Sequence, residues 1–177
     1  MLIVDYSPDW PRAFVAIQTV LATALTHIDL RIEHVGSTAV AGLAAKPIID
    51  IDLLLGPSVD LSTVADRLAP LGYVHVGDQG IPGRAVFRRP PGPSPHPILD
   101  TIPHHLYAGP TNSPELNRHL LFRDYLRQHP ADCRTYARLK RDLAERAGQD
   151  RKRYAVLKEQ EARAFVETTL ANARAGL

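Results

Sequence analysis

Residues 32–55 read IEHVGSTAVAGLAAKPIIDIDLLL. The segment divides into an apolar run ending in His34-Val35, a small-residue turn Gly36-Ser37-Thr38, a connector reaching Lys46-Pro47, and a second apolar run carrying Asp50 and Asp52. Aliphatic and β-branched runs bounded by glycine and proline predict two strands joined by a compact connection. Successive side chains on a strand point to opposite faces, so Ile49, Ile51 and Leu53 share one face and Asp50 and Asp52 the other. Two carboxylates about 6.7 Å apart on a partly buried face repel by roughly 2 kcal/mol, which calls for a compensating cation. Carboxylates acting with water and phosphate oxygens suit Mg²⁺ or Mn²⁺, which need only one or two acids from the protein. The Gly-Ser-Thr turn offers close backbone approach, N–H groups and hydroxyls, which is what a phosphate needs. The bland alternative is a solvated edge strand beside an ordinary turn.

The longer pattern is more specific. His34-Val35-Gly36-Ser37-Thr38 followed by Gly42-Leu43-Ala44-Ala45-Lys46-Pro47-Ile48-Ile49-Asp50-Ile51 resembles the hallmark of the GrpB family. That family belongs to the nucleotidyltransferase superfamily and also occurs fused behind bacterial dephospho-CoA kinases. Further resemblance lies at Gly80-Ile81-Pro82-Gly83-Arg84, His104-His105-Leu106-Tyr107, the segment from Phe122 to Arg127, and Tyr136-Ala137-Arg138-Leu139-Lys140, so it spans nearly the whole chain. Ala39 and Ala41 depart from the family pattern, in the connector and not at the acids. The resemblance implies an α/β (α+β) fold: a nucleotidyltransferase-like mixed sheet with flanking helices and a C-terminal helical layer. It further implies Asp50 and Asp52 as metal ligands, and Gly36, Ser37, Thr38, Lys46, Arg84, Lys140 and Lys158 around the phosphates of a nucleoside triphosphate. Active members of the superfamily generally carry a third carboxylate on a later strand. Here His104-His105-Leu106-Tyr107 occupies that place, with His105 as candidate base or third ligand and Asp100 as the nearest acid.

The bulk properties bound the rest. A chain of 177 residues buries one proper core, and one domain is expected, with residues 1–112 holding the sheet and 113–177 forming helices packed on it. The formal net charge is only +2, yet residues 1–114 hold 7 Lys/Arg against 10 Asp/Glu while 115–177 hold 14 against 9. An acidic half bearing metal and a basic helical half could together hold an anion, although arginine-rich helices commonly just present a solvated face. Nucleic acid as a partner finds little support, because the charge is modest and no recognised nucleic-acid motif is present. Cys133 stands alone, which excludes an internal disulfide and fits a reducing compartment; it reads as a small core residue. The N-terminal residues lack the pattern of a signal peptide, and the uncharged run 13–28 is too short and too polar to span a bilayer, so a cytoplasmic protein with no membrane partner is expected.

In chain order, Trp10-Pro11 opens a helix with Phe14, Ile17, Leu21, Leu25 and Ile28 on one face. Strands are expected at 30–35 and 48–55, with a short helical turn at 39–45 between them. A helix over 59–71 and a strand over 73–76 follow. Residues 82–114 hold 9 of the 15 prolines, which excludes a long helix there. Short strands at 84–88, 98–101 and 104–108 fit best, with the proline-rich loop 89–97 between them. Ser113-Pro114-Glu115 is a strong helix start, and three helices are expected over 114–128, 131–147 and 151–173.

Other residues could serve the site. Arg84 and Arg88 would share a strand face, and guanidinium forks match phosphate oxygens. His104 and His105 must face opposite ways, so only one can meet the acids. Tyr136 with Lys140 and Tyr154 with Lys158 each share a helix face. Their tyrosines read as packing and their lysines as candidates for phosphate. Arg123 and Asp124 could pair or brace the site from behind. Two functions compete: a metal-dependent transfer of a nucleotidyl group from an NTP to an unidentified acceptor, and a non-catalytic nucleotide-binding or partner-assisting module of the same fold. The oligomeric state is not legible.

Overall fold

The computed structural model describes residues 2–92 and 95–176. The centre of the expected proline-rich loop, residues 93–94, therefore lies outside the described residues. The 32–55 segment forms β1 (Leu30–Val35), a 3₁₀ turn (Ser37–Ala39) and β2 (Ile49–Leu55). Preceding them is α1 (Asp9–Ala24). After them come α2 (Leu61–Leu68), β3 (Val74–His75), β4 (Ala85–Arg88) and β5 (His104–Pro110). The C-terminal layer comprises α3 (Pro114–Gln128), α4 (Pro130–Arg146), α5 (Arg151–Glu161) and α6 (Arg163–Ala175).

The five strands form one mixed sheet in the order β1-β2-β5-β4-β3. Only the central β2–β5 pair is parallel; the other neighbours run antiparallel. β2 is thus an interior strand flanked on both sides, not the solvated edge strand of the bland alternative. Its apolar face meets α1 and α2, with Ile49, Ile51 and Leu53 packed against Ile17, Leu21, Val64 and Leu68. A second core joins the C-terminal helices through Leu126, Cys133, Tyr136, Leu143 and Tyr154. It also takes in Val40, Leu43 and Ala44 from the connector and Leu2 and Ile3 from the chain start. Burial raises the Cys133 thiol above its ordinary value, as expected of a core cysteine.

Several boundaries differ from expectation, each for a local reason. The strand expected at 98–101 is a helical turn. There the His96 ring Nδ1 accepts from the N–H groups of Ile98 and Leu99 in the manner of a cap, and the Ile102 N–H donates to Ile98 O. The helical turn expected at 39–45 is only the short 3₁₀ segment, followed by a turn at positive-φ Gly42. The last expected helix is two, divided at Ala162, which lets α5 bury Tyr154 while α6 turns Phe165 and Val166 into the same core. Among the described residues, no helix is long and apolar enough to cross a membrane.

Candidate functional site

The face of β2 opposite the main core carries the two acids, and register decides what they meet. Asp50 lies opposite Val35 on β1 and His105 on β5; Asp52 lies opposite Glu33 and Tyr107. In each row a β5 residue from far along the chain stands beside an acid. The His105 Nδ1–H donates to Asp50 Oδ1 at 2.8 Å. His104 turns the other way, where its Nε2 meets the Tyr73 hydroxyl at 2.5 Å.

Asp52 is fully buried, and its partner is a residue the sequence did not single out. His119, on α3, reaches Asp52 Oδ2 through Nδ1 at 2.8 Å and Glu115 Oε1 through Nε2 at 3.3 Å. Burial works against its charged form, but the hydrogen bonds and charges of Asp52 and Glu115 outweigh this and push His119 up to about 9. His119 is therefore an imidazolium at neutral pH, with Asp52 at one ring nitrogen and Glu115 at the other. Burial also pushes the Asp52 carboxyl upward, against the pull of His119. The compensating cation that the paired acids demanded is, in part, supplied by the protein itself.

Gly36 lets β1 end close to the acids. Its φ of 70° and ψ of −168° fall in a region essentially confined to glycine, and a Cβ there would collide with Asp50 Oδ2. Next to it, Ser37 Oγ accepts a 2.9 Å hydrogen bond from Lys140 Nζ. Lys140 is almost completely buried, its ammonium over the Tyr136 ring at 4.8 Å. Burial, reinforced by Lys158, holds its pKa well below the ordinary lysine value. Lys46 lies 4.5 Å over the Tyr154 ring, and burial with the nearby charges of Lys158 and Arg151 lowers it too. Lys158 is exposed on α5 at the same cleft. Tyr136 and Tyr154 are both buried in the helical core, as the packing reading expects.

The remaining candidates fall in three places. The Thr38 hydroxyl is buried and donates to Ile48 O, so it ties the turn to the start of β2. Arg84 lines the cleft on its β4 side, its guanidinium 4.9 Å over the Tyr107 ring. Arg88, expected on the same face, is exposed and lines a neighbouring hollow that shares His105 and Tyr107 with the cleft. Asp100 does not reach the cleft; it pairs with Arg89 and accepts from the His96 N–H. Arg123 pairs with Asp124, at 2.7 and 3.0 Å, and also donates to Glu33 and His34 O, so it fastens α3 to β1 behind the acids.

Gly36, Ser37, Lys46, Asp50, Arg84, His105, His119, Lys140 and Lys158 line one cleft of about 590 Å³ between the sheet and the helical layer, a size that suits a small-molecule ligand, while the fully buried Asp52 does not line it and is joined to it through His119. Asp50 stands between lysines on the β1 side and an arginine on the β4 side. Two carboxylate oxygens are left over. Among the described residues no donor reaches Asp50 Oδ2, and none reaches the buried Asp52 Oδ1. Two hard oxygens, one of them desolvated, fit Mg²⁺ or Mn²⁺ in donor type. Among the described residues no cluster of three or more ligating side chains surrounds one point, so water and a ligand's own oxygens would complete such a shell.

Comparison with known proteins agrees with this architecture. The sequence model of the family described as "GrpB protein" matches residues 1–168. A UPF0157 protein of Pseudomonas aeruginosa is 43% identical over 147 residues, covering 83% of this chain and 58% of the relative, so the chain spans little more than half of that relative's length. A dephospho-CoA kinase of Mycolicibacterium paratuberculosis is 27% identical, covering 89% of this chain and 43% of the kinase. The crystal structure of the conserved protein GrpB from Enterococcus faecalis superposes with a TM-score of 0.77 at 32% identity, covering 97% of this chain and 96% of that one. The Cid1 poly(U) polymerase with MgGTP bound superposes with a TM-score of 0.55 at 19% identity, covering 82% of this chain and 45% of that one, a likeness of fold. The fold is therefore nucleotidyltransferase-like, and with the family pattern running from the first residue to the last helix, the chain belongs to the GrpB family.

Proposed function

We propose that the chain binds a nucleoside triphosphate together with Mg²⁺ or Mn²⁺ and transfers its nucleotidyl group to an acceptor. The observation that carries this reading is the buried oxygen of Asp52, unpartnered among the described residues, on the same β2 face as Asp50, which lines the cleft beside the Gly36-Ser37 turn. A desolvated carboxylate oxygen without a partner is costly, and a cation removes the cost. When bound, the metal supplies neutralisation of phosphate charge and a template for in-line displacement. Asp50 and Asp52 hold it. Gly36 allows the phosphates to approach the backbone, while Ser37, Lys46, Lys140 and Lys158 meet their oxygens. Asp50 fixes Nδ1 of His105, which leaves Nε2 to accept the proton of an acceptor hydroxyl.

A second reading has its own observation. The β5 positions beside the acids hold His105 and Tyr107 in place of a third carboxylate, which favours a nucleotide-binding or partner-assisting module that does no chemistry. The match to part of a dephospho-CoA kinase supports it. Thermal unfolding with a panel of NTPs, with and without Mg²⁺ or Mn²⁺, tests both. The expected result is a metal-dependent shift of roughly 5 to 11 °C at a hundred times the Kd, absent in Asp50→Asn/Asp52→Asn. Pyrophosphate release in the presence of candidate acceptors then separates enzyme from module. If no nucleotide moves the transition of the wild-type chain, nucleotidyl transfer is excluded and the weight moves to a partner-assisting module.

A further inference from the structure

The cleft has two cationic ends, and they lie on opposite sides of the acids. The sheet order fixes this. Gly36 and Ser37 follow β1, the neighbour of β2 on one side; Arg84 immediately precedes β4, beyond β5 on the other. The lysine end, with Lys46, Lys140 and Lys158, belongs to the Ser37 side. Arg84 stands apart from it. Its guanidinium lies over Tyr107, whose row partner on β2 is Asp52, and the Tyr107 ring in turn lies 6.2 Å from each of His105 and His119.

Arg84 is also unusually short of partners. Its Nη2 donates to Asp78 O at 3.4 Å, while its Nε is buried with no acceptor. Among the described residues no carboxylate comes within ion-pair distance of it, whereas Arg118, lining the same cleft, already holds Glu167 at 2.7 Å. Glu115, an acid of the same end, is committed to His119. A half-buried guanidinium resting on an aromatic ring, with a desolvated N–H and no described carboxylate in ion-pair contact, is arranged for an anionic group of planar or forked geometry.

In-line displacement at phosphorus puts the attacking and leaving oxygens on opposite sides. If the departing diphosphate lies on the Ser37 side, the attacking group comes from the side of Arg84. We propose that the acceptor is an anionic small molecule bearing a hydroxyl, its phosphomonoester or carboxylate held by Arg84 over Tyr107. This rests on the nucleotidyl-transfer reading above. In the step it describes, the acceptor hydroxyl oxygen bonds to the α-phosphorus and the bond from that phosphorus to the bridging oxygen breaks. Diphosphate leaves with the electron pair, and the hydroxyl proton passes to Nε2 of His105. Arg84 thereby serves the acceptor and not the triphosphate.

The test titrates the wild type, Arg84→Gln and Arg84→Lys with MgATP and the other NTPs, and separately with glycerol 3-phosphate, glycerate and glycerol, following thermal unfolding and calorimetric binding. The ligand-free transition of each variant shows that it has folded. The proposal expects one or both anionic probes to bind the wild type and neutral glycerol not to. It expects Arg84→Gln to weaken the anionic probe at least tenfold, Arg84→Lys to restore part of that, and the nucleotide-dependent shift to stay unchanged in both variants. Which probe binds separates phosphate from carboxylate. Loss of the nucleotide shift in Arg84→Gln would assign Arg84 to the triphosphate and overturn the proposal. So would anionic probes that fail to bind the wild type, or that bind Arg84→Gln equally well. If the probes behave as expected but no nucleotide binds the wild type, the transfer reading fails and the acceptor role falls with it, leaving an anion site at Arg84.

Discussion

Gly36 and His34 show how closely single residues set the geometry of the cleft. Replacing Gly36 by alanine forces a Cβ into a backbone region that side chains rarely adopt and into Asp50 Oδ2. Gly36→Ala should cost about 2–3 kcal/mol, a drop in Tm of roughly 4–12 °C, and should abolish any metal-dependent shift by displacing Asp50. Thermal unfolding with and without Mg²⁺ checks both parts. His34 is buried, stacked on Phe14 at 4.7 Å, and shares a 3.0 Å hydrogen bond with Thr38 Oγ1. Because the Thr38 proton goes to Ile48 O, the proton between them sits on His34 Nε2. Burial, with Arg127 beside it, pushes His34 down to about 4. Its folded value lies below the unfolded one, so between about pH 6.5 and 4 the unfolded chain binds the extra proton. Stability therefore falls as pH falls through that window, by on the order of 2–3 kcal/mol. Urea unfolding from pH 7 to 4.5 should show that slope in the wild type and a flatter one in His34→Gln, which keeps the donor and does not titrate.

At the scale of elements, β1 and β2 were legible and α3 was not fully so. Alternation placed Asp50 and Asp52 on one face of β2, and the glycine-serine turn marked where β1 must end. His119 escaped because its signal is a helical period of polar residues, Glu115, His119, Arg123 and Arg127 each four apart, which reads as a solvated stripe. That stripe faces the sheet: His119 meets Asp52, Arg123 meets Glu33 and His34 O, and Arg127 meets Ala39 O. Nothing local in the sequence says that α3 crosses over β1 and β2, since the contacts are made across more than sixty positions. The capped turn at 98–101 was hidden for a related reason, a histidine ring acting where serine or aspartate is usual. Arg127→Ala should leave the buried Ala39 carbonyl without its two guanidinium bonds, at 3.0 and 2.9 Å, and cost about 1–2 kcal/mol. Denaturant unfolding measures that loss, and Arg127→Lys should recover only part of it because one ammonium cannot reproduce the fork.

The whole molecule depends on a strap at its beginning. Leu2 and Ile3 are buried among the C-terminal helices, the Leu2 N–H donates to Gln149 Oε1 at 2.7 Å, and Val4 pairs with Ala45 in the connector. The first residues thus join the helical layer to the segment that delivers Lys46. Ile3→Ala should cost about 2–4 kcal/mol by opening a cavity in that core. Hydrogen exchange should then speed up both in the connector at residues 43–46 and in α4, because one side chain holds both. Faster exchange in only one of them would break the link.

The parallel pairing of β2 with β5 has a further consequence in time. Asp50 and His105 are 55 positions apart and Asp52 and His119 are 67 apart, with α2, β3 and β4 intervening. Such long-range closures make for slow folding, because the chain must sacrifice entropy over the whole span before the centre of the sheet rewards it. No nascent chain that ends before α5 carries all the residues that line the cleft, so the complete cleft exists only once the last third of the polypeptide has docked.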